Sequence, residues 1–185
     1  MNICQSKKAL GFLVATFGLA AVSVAHASDG TITFNGSIQA TTCQIENASK
    51  DVAVSLPTVG AAALGDAGKT SGRTPFELRL TGCTADEKNP QKVRTFFEAG
   101  ADVDTSTGRL NNSITDGGAK NVQIQVLNDQ HEQILLGQAG DQKSQAVAID
   151  TDGKAVMKYF AEYYATGKAE AGKINSKVQF SLSYE

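Results

Sequence analysis

The chain has 185 residues, and its 17 lysines and arginines nearly balance its 19 aspartates and glutamates, which leaves a formal charge of −2. No basic stripe is present, which argues against nucleic acid and anionic membranes as partners. The length is that of one ordinary domain with enough interior for a sizeable core.

The first 27 residues have the pattern of a secretory signal peptide. Lys7 and Lys8 precede an apolar run at 9–24, and Ala25-His26-Ala27 forms a small-x-small cleavage box. A transmembrane anchor is the alternative, but the apolar run is shorter than the roughly 20 residues needed to span a bilayer. We therefore expect cleavage between Ala27 and Ser28 and export of the remaining chain.

The stretch 31–40, at the start of the exported chain, alternates strictly between apolar or glycine positions and polar positions. The first set comprises Ile32, Phe34, Gly36, Ile38 and Ala40. Such a period of two is typical of a strand with one buried face. Nothing covalent ties the N-terminal end of this strand down, so its apolar face must find a groove in its own molecule or in another.

Two cysteines remain after cleavage, because Cys4 leaves with the signal peptide. An even pair in an exported protein predicts a disulfide between Cys43 and Cys83. Closing a loop of about 41 residues stabilises a fold by roughly 4 kcal/mol on the chain-entropy model. Two free thiols are the alternative, which an oxidising compartment disfavours.

The rest of the chain consists of short apolar–polar alternations separated by turns. Strands are predicted at 51–56, 76–81, 93–98, 122–126, 134–136, 147–149, 155–164 and 178–184. Loops or turns are predicted at 59–73 (with one helical turn near 61–64), 85–91, 99–108, 111–120, 129–130, 137–143, 150–153 and 166–173. Many short strands without a long helical pattern indicate an all-β antiparallel sandwich.

The sequence contains no group of residues that predicts catalysis or metal binding. His131 is the only histidine outside the signal peptide, and its polar surroundings indicate a solvated surface position. The acidic stretches 102–104 and 150–153 lack the ligand spacing of a calcium loop and are better explained as turns. We expect no cofactor, no metal and no small-molecule substrate.

Several motifs in fixed order carry a resemblance to a known family. They are the alternating segment 29–38, then Cys43, then 74–76 leading to Gly82-Cys83, then 97–100, 107–110 and 163–167. The C-terminal motif is the most specific: Tyr184 is penultimate, Gly172 is the fourteenth residue from the end, and alternating apolar residues lie between them. The chain resembles pilins of the chaperone–usher pathway, in particular major subunits of type 1-like fimbriae of Gram-negative bacteria.

This resemblance implies an immunoglobulin-like sandwich that lacks its last strand. The gap would leave an apolar groove bordered by the C-terminal strand through Val178, Phe180, Leu182 and Tyr184. A periplasmic chaperone would fill the groove first, with Glu185 as a plausible anchor for basic chaperone residues. At an outer-membrane usher, the N-terminal strand of a neighbouring subunit would then replace the chaperone.

The expected organisation is a signal peptide at 1–27, a donor strand at 28–40 and a pilin domain at 41–185. The expected function is that of a structural subunit of an extracellular fimbria that supports adhesion and biofilm formation. A secreted binding module that closes its own sheet with residues 29–40 is the alternative, and an exported hydrolase is disfavoured for want of catalytic groups. The sequence leaves open whether the subunit forms the shaft or an adaptor, and which receptor the fibre meets.

Overall fold

The computed structural model describes residue 33 and the ranges 43–84 and 90–185. The chain divides into two units, Met1–Ser37 and Ile38–Glu185. Of the first unit only Thr33 is described, and it is exposed and outside regular structure. The fold is therefore that of the second unit.

Strands dominate the described residues, with one helical turn at Asn47–Lys50 and one 3₁₀ turn at Ala61–Leu64. The strands are β1 (Gln44–Ile45), β2 (Thr70–Thr81), β3 (Lys92–Phe97), β4 (Val103–Asp104), β5 (Arg109–Leu110), β6 (Lys120–Leu127), β7 (Val147–Ala148), β8 (Ala155–Glu170) and β9 (Phe180–Tyr184).

The strands form two sheets in which neighbouring strands are antiparallel. The larger sheet has the order β1-β2-β8-β6-β5-β4, and the smaller sheet has the order β7-β3-β9. In the larger sheet β8 pairs with β2 and β6, for example Phe76 opposite Tyr159 and Val126 opposite Ala161. In the smaller sheet β9 pairs with β3 from Val93–Tyr184 to Phe97–Phe180.

The core lies between the two sheets and consists of the inward positions of their strands. Leu78, Leu80 and Met157 from the larger sheet and Val93 and Phe97 from the smaller sheet are all at most 2% exposed. Because side chains alternate between the faces of a strand, the period of two in the sequence places these residues on one face. Burial of each such side chain contributes about 1.5–3 kcal/mol.

A chain of buried hydroxyl groups crosses the core from one sheet to the other. The Tyr159 phenol of β8 donates to Thr95 Oγ1 of β3 at 2.9 Å and lies 3.2 Å from Ser144 Oγ. Burial raises the pKa of Tyr159, so the phenol keeps its proton to a higher pH than an exposed tyrosine does. The Tyr159 ring also packs against Phe76 and Phe97, with centroids 5.5 and 5.6 Å apart.

The predicted disulfide is confirmed: Cys43 is bonded to Cys83. Gln44 pairs with Thr81 immediately beside it. The bond therefore ties the start of the continuously described chain to the end of β2.

Most of the predicted strands are present, with the following corrections. The strand predicted at 134–136 is wrong: Ile134 and Leu136 are fully buried, but they lie in an irregular segment. The loops predicted at 59–73 and 166–173 are partly wrong, because β2 begins at Thr70 and β8 continues to Glu170. The segment 51–56 is not assigned as a strand, although its burial alternates as predicted.

Replacement of Tyr159 by phenylalanine should lower the free energy of unfolding by about 1–3 kcal/mol, because Ser144 and Thr95 lose a buried hydrogen-bond partner. Urea denaturation of the wild-type and Tyr159→Phe chains measures the difference. Tyr164→Phe is the matched control, since its ring contact with Arg109 remains and its hydroxyl has no hydrogen bond to the described residues; we expect a change within about 0.5 kcal/mol. Equal effects of the two substitutions would contradict the role of the hydroxyl chain.

Candidate functional site

The C-terminal strand lies at the edge of the smaller sheet. One edge of β9 pairs with β3 along its whole length. On its other edge, no strand among residues 43–84 and 90–185 pairs with it. An edge strand presents a row of unpaired main-chain donors and acceptors, which is a template for another strand.

An extended segment at 51–56 has the burial pattern of a strand but no ladder. Val52, Val54 and Leu56 are half-buried, whereas the residues between them are exposed. The main-chain groups of residues 52–56 form no hydrogen bonds with other described residues. The alternating burial shows that one face of this segment packs against the sandwich. Its main chain, however, has no neighbouring strand among the described residues.

A groove of about 680 Å³ lies between this segment and the start of the C-terminal strand. Its walls are formed by residues 50–54 and 56 on one side and by residues 176–180 on the other. Its remaining lining is entirely apolar and comprises Ile45, Phe76, Leu78, Phe97, Leu110, Ile124, Val126 and Ala161.

The groove opens the interior of the sandwich toward solvent. Phe76 and Ile124 pack against the main core but are only half-buried. Their neighbours on the same strands, Leu78 and Val126, are 2% and 4% exposed. A sandwich with a complete complement of strands would cover inward positions such as these, so the groove has the character of a gap in the core.

Four residues predicted to border the groove do share one face. Val178 and Phe180 line it directly, while Leu182 and Tyr184 follow at the same spacing and pack on the main core. The alternate residues, at 177, 179, 181 and 183, are exposed.

Tyr184 makes a contact that the sequence does not predict. Its hydroxyl accepts a hydrogen bond from the main-chain N–H of Cys43, at 3.4 Å. The penultimate residue of the chain therefore meets the disulfide, 141 positions away in sequence. No local pattern in the sequence signals this contact.

Glu185 is held at the end of the smaller sheet. Its main chain exchanges hydrogen bonds with Lys92, at 2.9 and 3.0 Å. Its side chain forms an ion pair with Arg94, whose other terminal nitrogen lies 3.6 Å from Asp141. Arg94 was not among the residues predicted for the site, and it fixes the last residue in place.

Gly172 lies outside the groove, beside a neighbouring cavity of about 580 Å³. A Cβ at this position would overlap the main chain of Gly118 and Ala119. Lys173 forms a bridge with Gly118 at the same place. The glycine is thus needed for the close approach of two backbone segments.

The predicted donor positions Ile32, Phe34, Gly36, Ile38 and Ala40, and the predicted cleavage residues Ala27 and Ser28, lie outside the described residues. The structure therefore does not test their roles.

The described residues hold no arrangement typical of catalysis. His131 is exposed, as predicted, and its Nδ1 lies 3.2 Å from an Arg73 nitrogen. In the same ranges, no group of three or more histidine, cysteine, aspartate or glutamate side chains is placed to hold a metal ion. Nor does any helix there have the length and apolar character needed to cross a membrane.

Replacement of Gly172 by alanine should lower the free energy of unfolding by about 1–3 kcal/mol, because the added methyl group forces two main-chain segments apart. Gly167→Ala is the matched control: an added Cβ there would make ordinary contacts with Asn121, the nearest at 3.7 Å. Urea denaturation of the two variants measures both effects. A tolerated Gly172→Ala would show that this packing is not needed.

Comparisons with known proteins agree on one family. The family model for the type-1 fimbrial protein FimA matches residues 56–185. The major fimbrial subunit SMF-1 of Stenotrophomonas maltophilia is 44% identical over 89% of this chain and 98% of its own length. The F17 fimbrial protein of Escherichia coli is 41% identical over 94% of this chain and 97% of its own length.

A solved structure supports the fold. A chain from a chaperone–usher pilus superposes with a TM-score of 0.59 at 20% identity, covering 85% of this chain and 96% of that one. The predicted all-β, immunoglobulin-like pilin architecture is thereby confirmed, as is the predicted family. These findings show that the chain belongs to the type-1 fimbrial protein family and is a structural subunit of fimbriae on the cell surface, not an enzyme.

Proposed function

We propose that this subunit polymerises by donor-strand exchange, in which residues 28–40 of one copy fill the groove of the next copy. One observation carries the proposal: an apolar groove is lined both by the segment 176–180, which leads into β9 with its free edge, and by the extended segment 51–56, which also lacks a strand partner. An inserted strand would satisfy both edges and cover the groove floor.

Main-chain hydrogen bonds would supply affinity along the whole inserted strand. Strand addition to an exposed sheet edge is a known mode of recognition, of which chaperone–pilin complementation is an established example. Adjacent strands lie about 4.8 Å apart, so an inserted strand needs a gap of twice that width between β9 and the segment opposite. The proposed donor strand would then form ladders on both sides.

Side chains at alternate positions would supply register. Ile32, Phe34 and Ile38 share one face of the proposed donor strand, and a slip by one residue would turn all three toward solvent. Burial of each contributes about 1.5–3 kcal/mol, from which the entropy of ordering the segment is subtracted. Before that subtraction, the three side chains together contribute several kcal/mol to the association of two subunits.

Gly36 interrupts this apolar series and has a separate proposed role. A glycine inside a strand often marks a place where another backbone or a wall comes close. In the pilin family, a glycine at this place fits a shallow pocket in which a larger side chain would clash. We assign Gly36 the same role here.

An unfilled groove makes the unassembled subunit prone to aggregation, because it exposes apolar core positions and an unpaired edge. A periplasmic chaperone would cover the groove after cleavage behind Ala27, and an outer-membrane usher would exchange the chaperone for the next subunit. Glu185 would contact basic chaperone residues, which would then compete with Arg94 for its side chain. The assembled fibre would support attachment and biofilm formation.

Deletion of residues 28–40 should abolish surface fibres while a complex with the chaperone is still recovered, because the groove remains and only the donor is lost. Electron microscopy of cells and purification of the periplasmic complex provide the two readouts. The undeleted mature protein, purified without a chaperone, is the second test. If it is a durable monomer whose own residues 29–40 close its sheet, and if it never forms filaments, the proposal is wrong.

Substitution of Gly36 by leucine should likewise block polymerisation without preventing recovery of the chaperone complex, because the added side chain clashes with the groove. Ser37→Leu is the matched control, since it places the same side chain on the opposite face of the strand. Normal fibre yield from Gly36→Leu would remove the assignment of this glycine.

A further inference from the structure

The proposed donor strand and the groove wall beside which it would lie are equally long. The donor strand, 28–40, and the wall, 173–185, have thirteen residues each. Burial alternates along the wall from Lys173 to Tyr184, and every odd-numbered residue is exposed, as in an extended segment. A donor strand that lies beside the whole wall therefore reaches from the level of Lys173 to the level of Glu185.

The position of Cys43 decides where the two ends of the donor strand lie. The main-chain N–H of Cys43 donates to the Tyr184 hydroxyl, so the N-terminal extension of each copy leaves at the Glu185 end of its own groove. In a fibre, that end faces the copy that accepts the extension. The copy that donates to the groove must then lie at the opposite end, because a head-to-tail interface repeats in one direction. Residue 40 of the donor therefore lies level with Lys173.

The connection between the donor strand and its own folded domain is short. Only Thr41 and Thr42 separate residue 40 from Cys43, and the three steps from residue 40 to Cys43 span at most about 11 Å. The disulfide end of the donating copy, which holds Cys43 and Cys83, is thus kept against the Lys173 end of the accepting copy. Successive subunits therefore meet at a second contact, outside the groove.

An acidic turn, residues 150–153, lies at the disulfide end. The main-chain N–H of Cys83 donates to the carbonyl of Gly153 at 2.9 Å, which places the turn beside the disulfide. The Asp150 carboxylate accepts hydrogen bonds from two nearby main-chain N–H groups, so it is used within the turn. Asp152 is exposed, and its carboxylate forms no ion pair with the described residues. Its charge is therefore available to a partner.

A lysine of opposite charge lies at the other end of the groove wall. Lys173 is exposed and lines the cavity beside Gly172. Its main chain is fixed by three hydrogen bonds, to Asn112, Gly117 and Ala119. Its ammonium group forms no ion pair with any residue in the described ranges. The two ends that meet in the fibre thus present one unpaired anion and one unpaired cation.

We propose that Asp152 of the donating copy docks beside Lys173 of the accepting copy, and that this ion pair orients successive subunits in the fibre. The inference rests on the function proposed above. Two further exposed charges, Lys154 directly after the turn and Asp116 directly before Gly117, also have opposite signs. Complementary charges of this kind favour one orientation of two partners and one partner over others.

Charge reversal tests the pair, because every copy in a purified fimbria carries the same substitution. Lys173→Glu and Asp152→Lys each place two like charges at every contact, so fibres of either variant should release subunits in urea about two- to fivefold faster than wild type. The double variant restores opposite charges and should release subunits at close to the wild-type rate. Lys158→Glu, at an exposed position of β8, is the matched control and should not change the rate.

Two further measurements separate this contact from an effect on the fold. In about 1 M sodium chloride, which screens charges beyond about 3 Å, the differences among the fibres should disappear. The unassembled chains should all unfold at the wild-type urea midpoint, because within one copy Asp152 and Lys173 lie at opposite ends of the groove wall. A lowered midpoint that accounts for the faster release would contradict the proposal.

The assignment is wrong if either single variant releases subunits at the wild-type rate, or if the double variant is as fast as the single variants. A single variant that forms no fibres supports the pair if fibres return in the double variant, and contradicts it if they do not. If the pair fails while deletion of residues 28–40 still abolishes fibres, only this contact is lost. Fibres that persist after the deletion would instead remove the proposed function itself.

Discussion

The structure depends on one constraint. The strand β9 has a free edge, and inward-facing apolar side chains are left only partly covered in the groove beside it. The same strand completes the smaller sheet by pairing with β3, and its first residue, Phe180, lines the groove. Phe76 and Phe97 belong to the core and to the groove at once, so the unfilled site cannot be separated from the stability of the fold. Tyr159 supports both rings and joins the two sheets through its hydroxyl.

This arrangement links stability to assembly. The groove exposes part of the hydrophobic core. Burial of these apolar side chains therefore stabilises the domain only after another strand has bound in the groove. Binding then stabilises the acceptor by mass action. In a fimbrial subunit, the strength of the fibre and the stability of each domain would therefore depend on the same buried side chains.

The sequence predicts those parts of this site in which apolar and polar residues alternate along the chain. The alternation at 178–184 correctly places its apolar residues on one face, and the alternation at 51–56 correctly gives the burial of that segment. Alternation reports burial and not hydrogen bonding, however, so it does not reveal that 51–56 has no ladder. Ile134 and Leu136 show the same limit: both are fully buried, yet their main chain is bonded irregularly. The Tyr184–Cys43 contact depends on residues far apart in the chain, so no local pattern signals it.

The placement of the Cys43–Cys83 bond has a mechanical consequence. If residues 28–40 are anchored in a neighbouring copy, tension along the fibre enters this domain at Cys43. There the covalent bond passes the load directly to the end of β2, one of the two longest strands of the larger sheet. The two-residue strand β1 is thereby spared, although its few hydrogen bonds would otherwise be the first to break under a pulling force.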